Sequence, residues 1–169
     1  TKHSKPIKDV CSYYVRDGKL NVATASQDMT IRVWGREGKD NSILVPKAVL
    51  KGHTGSVECV AKMPTKSASR LVSGGFDKQI LLWEVPEDSD EQPSSSAAKR
   101  RRGGDAEAID AAPRHTVEPV AKLEGATGAV MGIVWPHPLA VYACGWDRQI
   151  RMWDVKTCVN SVILPCKAA

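Results

Sequence analysis

Three side chains in the middle of the sequence could perform nucleophilic catalysis: His53, Ser73 and Asp77. In serine hydrolases a carboxylate orients an imidazole, and the imidazole takes the proton of the serine hydroxyl. These residue types are therefore compatible with a hydrolase. Whether they perform that chemistry depends on the elements that position them.

A tryptophan follows the aspartate six positions later, and this spacing occurs three times, as Asp28 with Trp34, Asp77 with Trp83 and Asp147 with Trp153. Related flanks precede the three copies: HSKPIKDV, GHTGSVECV and GATGAVMGIVW. Self-similarity of this kind indicates a repeat architecture, which decides the interpretation of the whole chain.

Short segments rich in β-branched and aromatic residues, separated by turn residues, predict strands, and no long stretch has helical periodicity. We predict three groups of four strands, at 7–14, 21–25, 30–34 and 47–51; at 56–62, 70–74, 79–85 and 118–123; and at 129–135, 139–144, 149–154 and 159–164. A four-stranded antiparallel unit repeated at about 40–45 residues is typical of a propeller blade. The predicted fold class is all-β.

The GH pair at 52–53, the spacing of Ser73 and Asp77, and the WD pair at 153–154 together resemble the WD40 repeat family. The resemblance covers nearly the whole chain outside one insert. It implies a WD40 β-propeller in which three four-stranded antiparallel blades form part of a larger ring, which we expect to be seven-bladed because three blades cannot close. A ring completed by several copies of the chain is the alternative.

In that family a histidine, a strand serine or threonine, the turn aspartate and the tryptophan form one hydrogen-bonded tetrad within a blade. The matching residues are His3, Thr24, Asp28 and Trp34 in blade one; His53, Ser73, Asp77 and Trp83 in blade two; and only Asp147 and Trp153 in blade three. Ala126 and Ala143 stand at the two remaining positions of blade three, so we expect that blade to depend more on apolar packing.

The tetrad accounts for the apparent Ser–His–Asp set and also for the tryptophan, so we predict that these residues are structural and that the chain is not an enzyme. The sequence shows no His, Cys and carboxylate cluster with metal-ligand spacing, and no G-x-G-x-x-G or P-loop motif. We therefore predict no metal, no cofactor and no small-molecule substrate. No apolar run approaches the roughly 18 residues of a membrane span.

The five cysteines form no C-x-x-C pair and lie mostly in predicted strands, which favours buried thiols over disulfides or zinc ligands. The chain begins without a methionine, which suggests a fragment.

The domain organisation that we predict has three parts. Residues 1–85 hold blade one and the first three strands of blade two, residues 86–117 form a disordered charged insert, and residues 118–169 hold the last strand of blade two and blade three. The insert is rich in Ser, Pro, Gly, Ala and charged residues, a composition that buries too little apolar surface to fold alone.

Charge is unevenly distributed between the insert and the blades. Residues 86–118 carry five basic and eight acidic side chains, a net of −3, so the rest of the chain carries +8. A basic bladed part leaves direct RNA contact open, although a diffuse surplus of lysines is more often a solvated face. Within the insert Lys99, Arg100, Arg101 and Arg102 form a cluster that we interpret as a nuclear-localisation signal.

A narrower resemblance bears on function. HSKPIKDV with DMTIRVW, then GHTGSVECV with FDKQILLW, then an acidic Ser-rich loop carrying KRRR, are similar to the WD-repeat subunits of the pescadillo complex. This resemblance implies a scaffold in the nucleus, in both nucleolus and nucleoplasm, for rRNA processing and assembly of the large (60S) ribosomal subunit. It also implies a pescadillo-like protein, a second WD-repeat protein and the pre-ribosomal particle as partners.

In WD40 proteins generally, the narrow face of the ring presents the residue before the turn aspartate and residues at the start of the inner strand. The corresponding candidates for partner binding are Gln27, Phe76, Trp146, Lys8, Glu58 and Met131. Aromatic residues and methionine are enriched at interaction hot spots, so we favour Phe76, Trp146 and Met131. The alternative is that the rings pack between blades.

Two other functions remain open at this stage. A substrate receptor of a cullin-type ubiquitin ligase often has an arginine two residues after the WD pair, where this chain has Lys156. An RNA-binding platform would show a coherent basic stripe on one face and steep salt dependence of binding. A cytoskeletal or signalling scaffold also fits, because a propeller fixes no function by itself.

Overall fold

The computed structural model describes residues 2–16, 18–37, 43–65, 69–86 and 112–165. The strands within these ranges are β1 (Ile7–Tyr14), β2 (Leu20–Ser26), β3 (Thr30–Glu37), β4 (Ile43–Lys51), β5 (Val57–Lys62), β6 (Arg70–Gly75), β7 (Ile80–Glu84), β8 (His115–Val117), β9 (Ala121–Leu123), β10 (Val130–His137), β11 (Ala140–Gly145), β12 (Gln149–Asp154) and β13 (Asn160–Pro165). The predicted all-β class is confirmed. Over these ranges we find no helix that is long and apolar enough to cross a membrane.

The strands form three sheets, each built around one of the repeats. Sheet one has the order β1-β2-β3-β4-β8, sheet two β5-β6-β7-β9, and sheet three β10-β11-β12-β13. Strands that follow one another in the chain pair antiparallel within each sheet, and β7 pairs antiparallel with β9 across the insert. This is the arrangement of adjacent blades in a β-propeller.

The predicted strand at 118–123 is shorter in the structure, and an additional short strand that was not predicted precedes it. Ala121–Leu123 pairs with β7 and is the last strand of blade two. His115–Val117 pairs parallel with β4 of blade one, with Leu50 opposite Val117. Pro119 lies between them, and a proline cannot donate a backbone hydrogen bond to continue a ladder. The predicted disordered insert at 86–117 therefore overlaps a strand at its end, and residues 87–111, which include the KRRR cluster, lie outside the described residues.

Two apolar cores hold the three sheets together. The core between sheets one and two contains Trp83, Tyr13 and Leu50, each at most 1% exposed. The core between sheets two and three contains Trp153 and Ile80, again at most 1% exposed. Full burial of one such side chain stabilises the fold by about 1.5–3 kcal/mol, so contacts between blades contribute substantially to stability.

A polar contact also aligns neighbouring inner strands. The backbone N–H of Val60 on β5 donates to the Asp9 carboxylate on β1 at 2.9 Å. Because Asp9 and Val60 belong to different blades, this bond sets the relative position of the two inner strands along their length.

The cysteines only partly follow the prediction of buried thiols. Cys59 is buried and Cys11 is half-buried, but Cys144 is exposed; the four described cysteines are all free thiols. Burial is the main cause that raises the pKa of Cys11 and Cys59 to about 12, so these two thiols stay protonated at neutral pH.

Candidate functional site

The predicted tetrad of blade two is fully formed. One ring nitrogen of His53, Nδ1, lies 2.9 Å from Asp77 Oδ2, and the other, Nε2, lies 2.8 Å from Ser73 Oγ. The Trp83 indole N–H donates to the same hydroxyl oxygen at 2.8 Å. Every polar group is satisfied when Nδ1–H donates to the carboxylate and the serine O–H donates to Nε2.

Blade one repeats this network around Thr24. His3 Nδ1 lies 2.8 Å from Asp28 Oδ2 and His3 Nε2 lies 2.8 Å from Thr24 Oγ1. The Trp34 indole N–H donates to Thr24 Oγ1 at 2.9 Å. The two copies share the same geometry, so the residues carried over from the family resemblance lie where a structural tetrad requires them.

The turn carboxylates are held in their ionised form. Burial raises the pKa of Asp28, but hydrogen bonds from Thr30 and His3 outweigh it and lower the pKa to about 2. Burial likewise raises the pKa of Asp77, but the interactions with His53 outweigh it. The pKa of Asp77 therefore lies below its ordinary value. A carboxylate held this way serves as a permanent acceptor for the turn.

The catalytic interpretation of the set in blade two does not fit this geometry. Ser73 is 0% exposed and His53 is 7% exposed. The Ser73 oxygen already accepts the Trp83 indole proton, and no substrate carbonyl can reach it. The described residues also contain no group of His, Cys, Asp and Glu side chains arranged to hold a metal ion.

Blade three contains a buried ion pair in place of the tetrad, contrary to the expectation that it depends more on apolar packing. The Arg151 guanidinium donates to Asp147 Oδ2, in an ion pair whose side chains are 5% and 9% exposed. Arg151 also donates to Thr127 Oγ1 at 3.4 Å. The indole of Trp153 donates to the backbone carbonyl of Glu124 at 2.7 Å instead of to a hydroxyl.

Arg151 is the residue that sequence reasoning missed. It lies directly opposite Ala143 in the β11–β12 pairing, where blade two has Leu81 opposite Ser73. Only about 10 Å³ of space remains beside Asp147, Arg151 and Trp153, so the guanidinium fills the volume that a histidine and a serine would occupy. The available signal was the combination of Ala126 and Ala143 at the tetrad positions with an arginine four residues after the turn aspartate; Arg32 has the same offset in blade one, where the tetrad is complete.

The two aromatic candidates for partner binding meet each other at the surface. Phe76 and Trp146 occupy the tips of the β6–β7 and β11–β12 hairpins and are 41% and 65% exposed. Their ring centroids are 4.9 Å apart, with an interplanar angle of 80°. The rings therefore form one edge-to-face pair across two blades, instead of tucking into the core; we call it the aromatic pair.

The remaining candidates lie at the β2–β3 turn or along the inner strands β1, β5 and β10. Gln27 is exposed at the β2–β3 turn, and Met131, 37% exposed, is the second residue of β10. Lys8 and Glu58 form an ion pair at 3.8 Å between the inner strands of blades one and two. Met131, Lys8 and Glu58 line one cleft of about 440 Å³. The Glu58 side chain is only 6% exposed, so it is less accessible than predicted.

Comparison with known proteins agrees with this geometry. The family described as WD domain, G-beta repeat, matches residues 1–35, 44–84 and 117–154. These ranges cover most of blade one, the first three strands of blade two, and the region from the last residue of β8 to the end of β12. The chain belongs to the WD40 repeat family.

Among individual proteins, the chain is similar to members of one named group. It is 33% identical over 172 residues to the ribosome biogenesis protein WDR12 homolog of Arabidopsis thaliana, which covers 99% of this chain. It is 34% identical over 170 residues, or 96% of this chain, to the protein of the same name from Nematostella vectensis. The alignments span 38% of each of those two proteins.

Proposed function

We propose that this chain is part of a non-catalytic WD-repeat scaffold in ribosome biogenesis, acting in rRNA processing and assembly of the large ribosomal subunit. The observation that carries the proposal is the similarity, over 99% of the chain, to a protein named for ribosome biogenesis. The chemistry of the molecule supports it, because the conspicuous Ser–His–Asp residues are engaged in structural tetrads.

The partners in this proposal are a pescadillo-like protein, a second WD-repeat protein and the pre-ribosomal particle. The proposed docking site is the aromatic pair with Met131. Phe and Trp side chains that stay exposed on a folded protein are the usual anchors of an interface, and a few such residues carry most of its binding energy.

Affinity purification of the full-length protein from nuclear extract tests the assignment, with mass spectrometry for proteins and probes for rRNA precursors. We expect pescadillo-like protein and large-subunit precursors to co-purify. The double variant Phe76→Ala with Trp146→Ala should lose them by about tenfold or more. The matched control is Leu139→Ala with Val159→Ala, which removes exposed apolar side chains 47% and 59% accessible at the opposite end of blade three.

Recovery of cullin adaptors or of tubulin in place of ribosomal precursors would contradict the proposal and leave the fold standing. Equal loss in the aromatic variant and in the control would contradict the docking site alone.

The proposed location is the nucleus, with both nucleolar and nucleoplasmic pools. Replacing Lys99, Arg100, Arg101 and Arg102 by alanine should reduce the nuclear fraction of a fluorescent fusion several-fold, because basic clusters of this kind are read by import receptors. Alanine at Arg36, Lys51, Lys122 and Lys156, all exposed, is the matched control for loss of four positive charges. Unchanged nuclear accumulation of the KRRR variant would remove this assignment.

A further inference from the structure

The hairpin tips that carry the aromatic pair are fixed by backbone hydrogen bonds. The backbone N–H of Phe76 donates to the Ser56 carbonyl, and that of Trp146 donates to the Ala129 carbonyl, both at 2.9 Å. A Cβ added at Gly75 would lie 2.5 Å from the Ser56 carbonyl oxygen, so only glycine permits this close approach before Phe76. A partner therefore meets two rings that are already positioned, which reduces the entropy lost on binding.

Cations flank both rings at the same hairpin tips. Lys78 and Arg148 follow Phe76 and Trp146 by two residues, are exposed, and adopt φ values of 63° and 57°. Lys5 is exposed beside the equivalent turn of blade one, where its carbonyl accepts the Ser26 hydroxyl proton at 3.1 Å. Among the described residues, none of these three cations forms an ion pair.

The carboxylates at this end of the sheets are already engaged. Asp28, Asp77 and Asp147 accept hydrogen bonds from the histidines or the arginine of their own blades. Glu58 is paired with Lys8 and also accepts a hydrogen bond from Ser56 at 2.5 Å. The surface around the aromatic pair is therefore apolar at its centre and positive at its edge.

We infer that the face carrying the aromatic pair, Met131, Lys5, Lys78 and Arg148 binds an acidic peptide segment that contains an apolar anchor residue. This inference rests on the proposed function and names the chemistry of the protein partner at that site. The anchor packs on the aromatic pair, while acidic side chains on either side approach the three cations. Such charge complementarity accelerates association and selects against basic partners.

The ring geometry favours a peptide over single-stranded RNA. Bases stack on ring faces in succession along a strand. Here one ring points its edge at the face of the other, at 80°, so the pair does not offer two parallel platforms. The corner between the perpendicular rings instead suits a single apolar side chain.

Binding of labelled probes to the full-length protein tests the inference by fluorescence anisotropy. The probes are a 12-residue peptide of Asp and Glu with a central Leu-Phe pair, the same peptide with Lys in place of the acids, and a 12-nucleotide oligouridine. We expect only the acidic peptide to bind, with affinity falling as salt is raised. Phe76→Ala with Trp146→Ala should weaken it by about tenfold or more, and Lys78→Glu with Arg148→Glu by a similar factor.

Arg36→Glu with Lys156→Glu is the matched charge control, because both residues are exposed, near the end of β3 and in the β12–β13 turn, at the opposite end of their blades. The inference is overturned if the basic peptide binds as strongly as the acidic one. It is also overturned if neither the aromatic double variant nor the charge-reversal double variant weakens binding. Binding of oligouridine alone overturns it too, and assigns the face to RNA. If peptide binding fails while ribosomal precursors still co-purify with the protein, the inference falls and the proposed function stands.

Discussion

The buried ion pair between Arg151 and Asp147 replaces a histidine-based network in blade three. Arg151 is 4% exposed and faces the core between sheets two and three. A charge buried this deeply depends on its partner, because removing one member leaves the other desolvated and unpaired. Blade three is therefore as polar inside as its neighbours, with different chemistry.

Substitution of Arg151 by methionine should lower the free energy of unfolding by about 3 kcal/mol, because Asp147 loses its cation while remaining shielded from water. Urea unfolding followed by tryptophan fluorescence measures the effect. Arg148→Met is the matched control: it removes an exposed arginine three positions earlier and should change stability by about 0.5 kcal/mol or less. Equal effects of the two variants would show that the buried pair adds nothing.

The turn carboxylates predict how stability depends on pH. The folded pKa of Asp28, about 2, lies below the ordinary value of 3.8, so the unfolded chain binds more protons between these values. The contribution of Asp28 is present above about pH 4 and is lost as the pH falls toward 2. Asp77 and Asp147 have lowered pKa values and add to the same trend.

Asp28→Asn should therefore flatten the decline of the unfolding free energy between pH 4 and pH 2, and lower stability at pH 7. Denaturant unfolding at a series of pH values measures the slope. Glu118→Gln, which neutralises an exposed carboxylate, should keep the original slope. If the Asp28 variant also kept it, the pKa of Asp28 would not be lowered in the folded chain.

Among the elements, β8 links blades one and two, because its neighbour in the chain and its neighbour in the sheet belong to different blades. It follows β7 of blade two in the chain but pairs parallel with β4 of blade one, opposite residues Ala48, Val49 and Leu50. Val117 is 9% exposed and contributes to the core between sheets one and two. The end of the insert thus links blade two to the outer strand of blade one. Pro46 has no backbone N–H, so it makes the rest of the β4 edge less able to pair with another strand.

Val117→Ala should release β8 from β4, because this apolar contact is what offsets the cost of ordering a three-residue strand. We expect a loss of about 1–3 kcal/mol in stability and faster amide hydrogen exchange at Ala48–Leu50, with exchange in β2 unchanged. Thr116→Ala, an exposed neighbour, is the control. Unchanged exchange in β4 would mean that β8 does not clamp the blades.

The whole molecule has an uncovered apolar face on sheet three. Ile150 and Tyr142 are 40% and 36% exposed, whereas Ile80 and Val72, at the matching positions of sheet two, are 0% exposed beneath sheet three. Val134 and Leu164 extend this face, at 58% and 56% exposure. Contiguous apolar surface of this kind is covered in a closed propeller and promotes association when it is open.

The chain expressed on its own should therefore self-associate at micromolar concentration, as measured by sedimentation velocity. Ile150→Lys together with Val134→Asp should shift it toward the monomer, since charges on the face oppose desolvation. Val120→Lys changes an equally exposed valine outside the face and should leave association unchanged. A chain that stays monomeric without these substitutions would contradict the prediction.

The sequence alone determined most of the strands and the tetrads of blades one and two. Strand alternation, turn residues and the constant offset from Asp77 to Trp83 are local patterns, and where the histidine and the hydroxyl residue are both present the pattern places the same bonds in each blade. It also identified Phe76 and Trp146, because the residue before the turn aspartate occupies a defined place at the hairpin tip.

Only the tertiary structure decided three features: the Arg151–Asp147 replacement, the pairing of β8 with β4, and the contact between Phe76 and Trp146. The Phe76–Trp146 contact and the β8–β4 pairing join residues far apart in the chain, and no local offset encodes which blades lie side by side. For Arg151 the deciding fact was burial, since the same arginine is solvated on an outward face and paired on an inward one. Packing between blades selected the inward pairing, and it also brought the two rings to one surface.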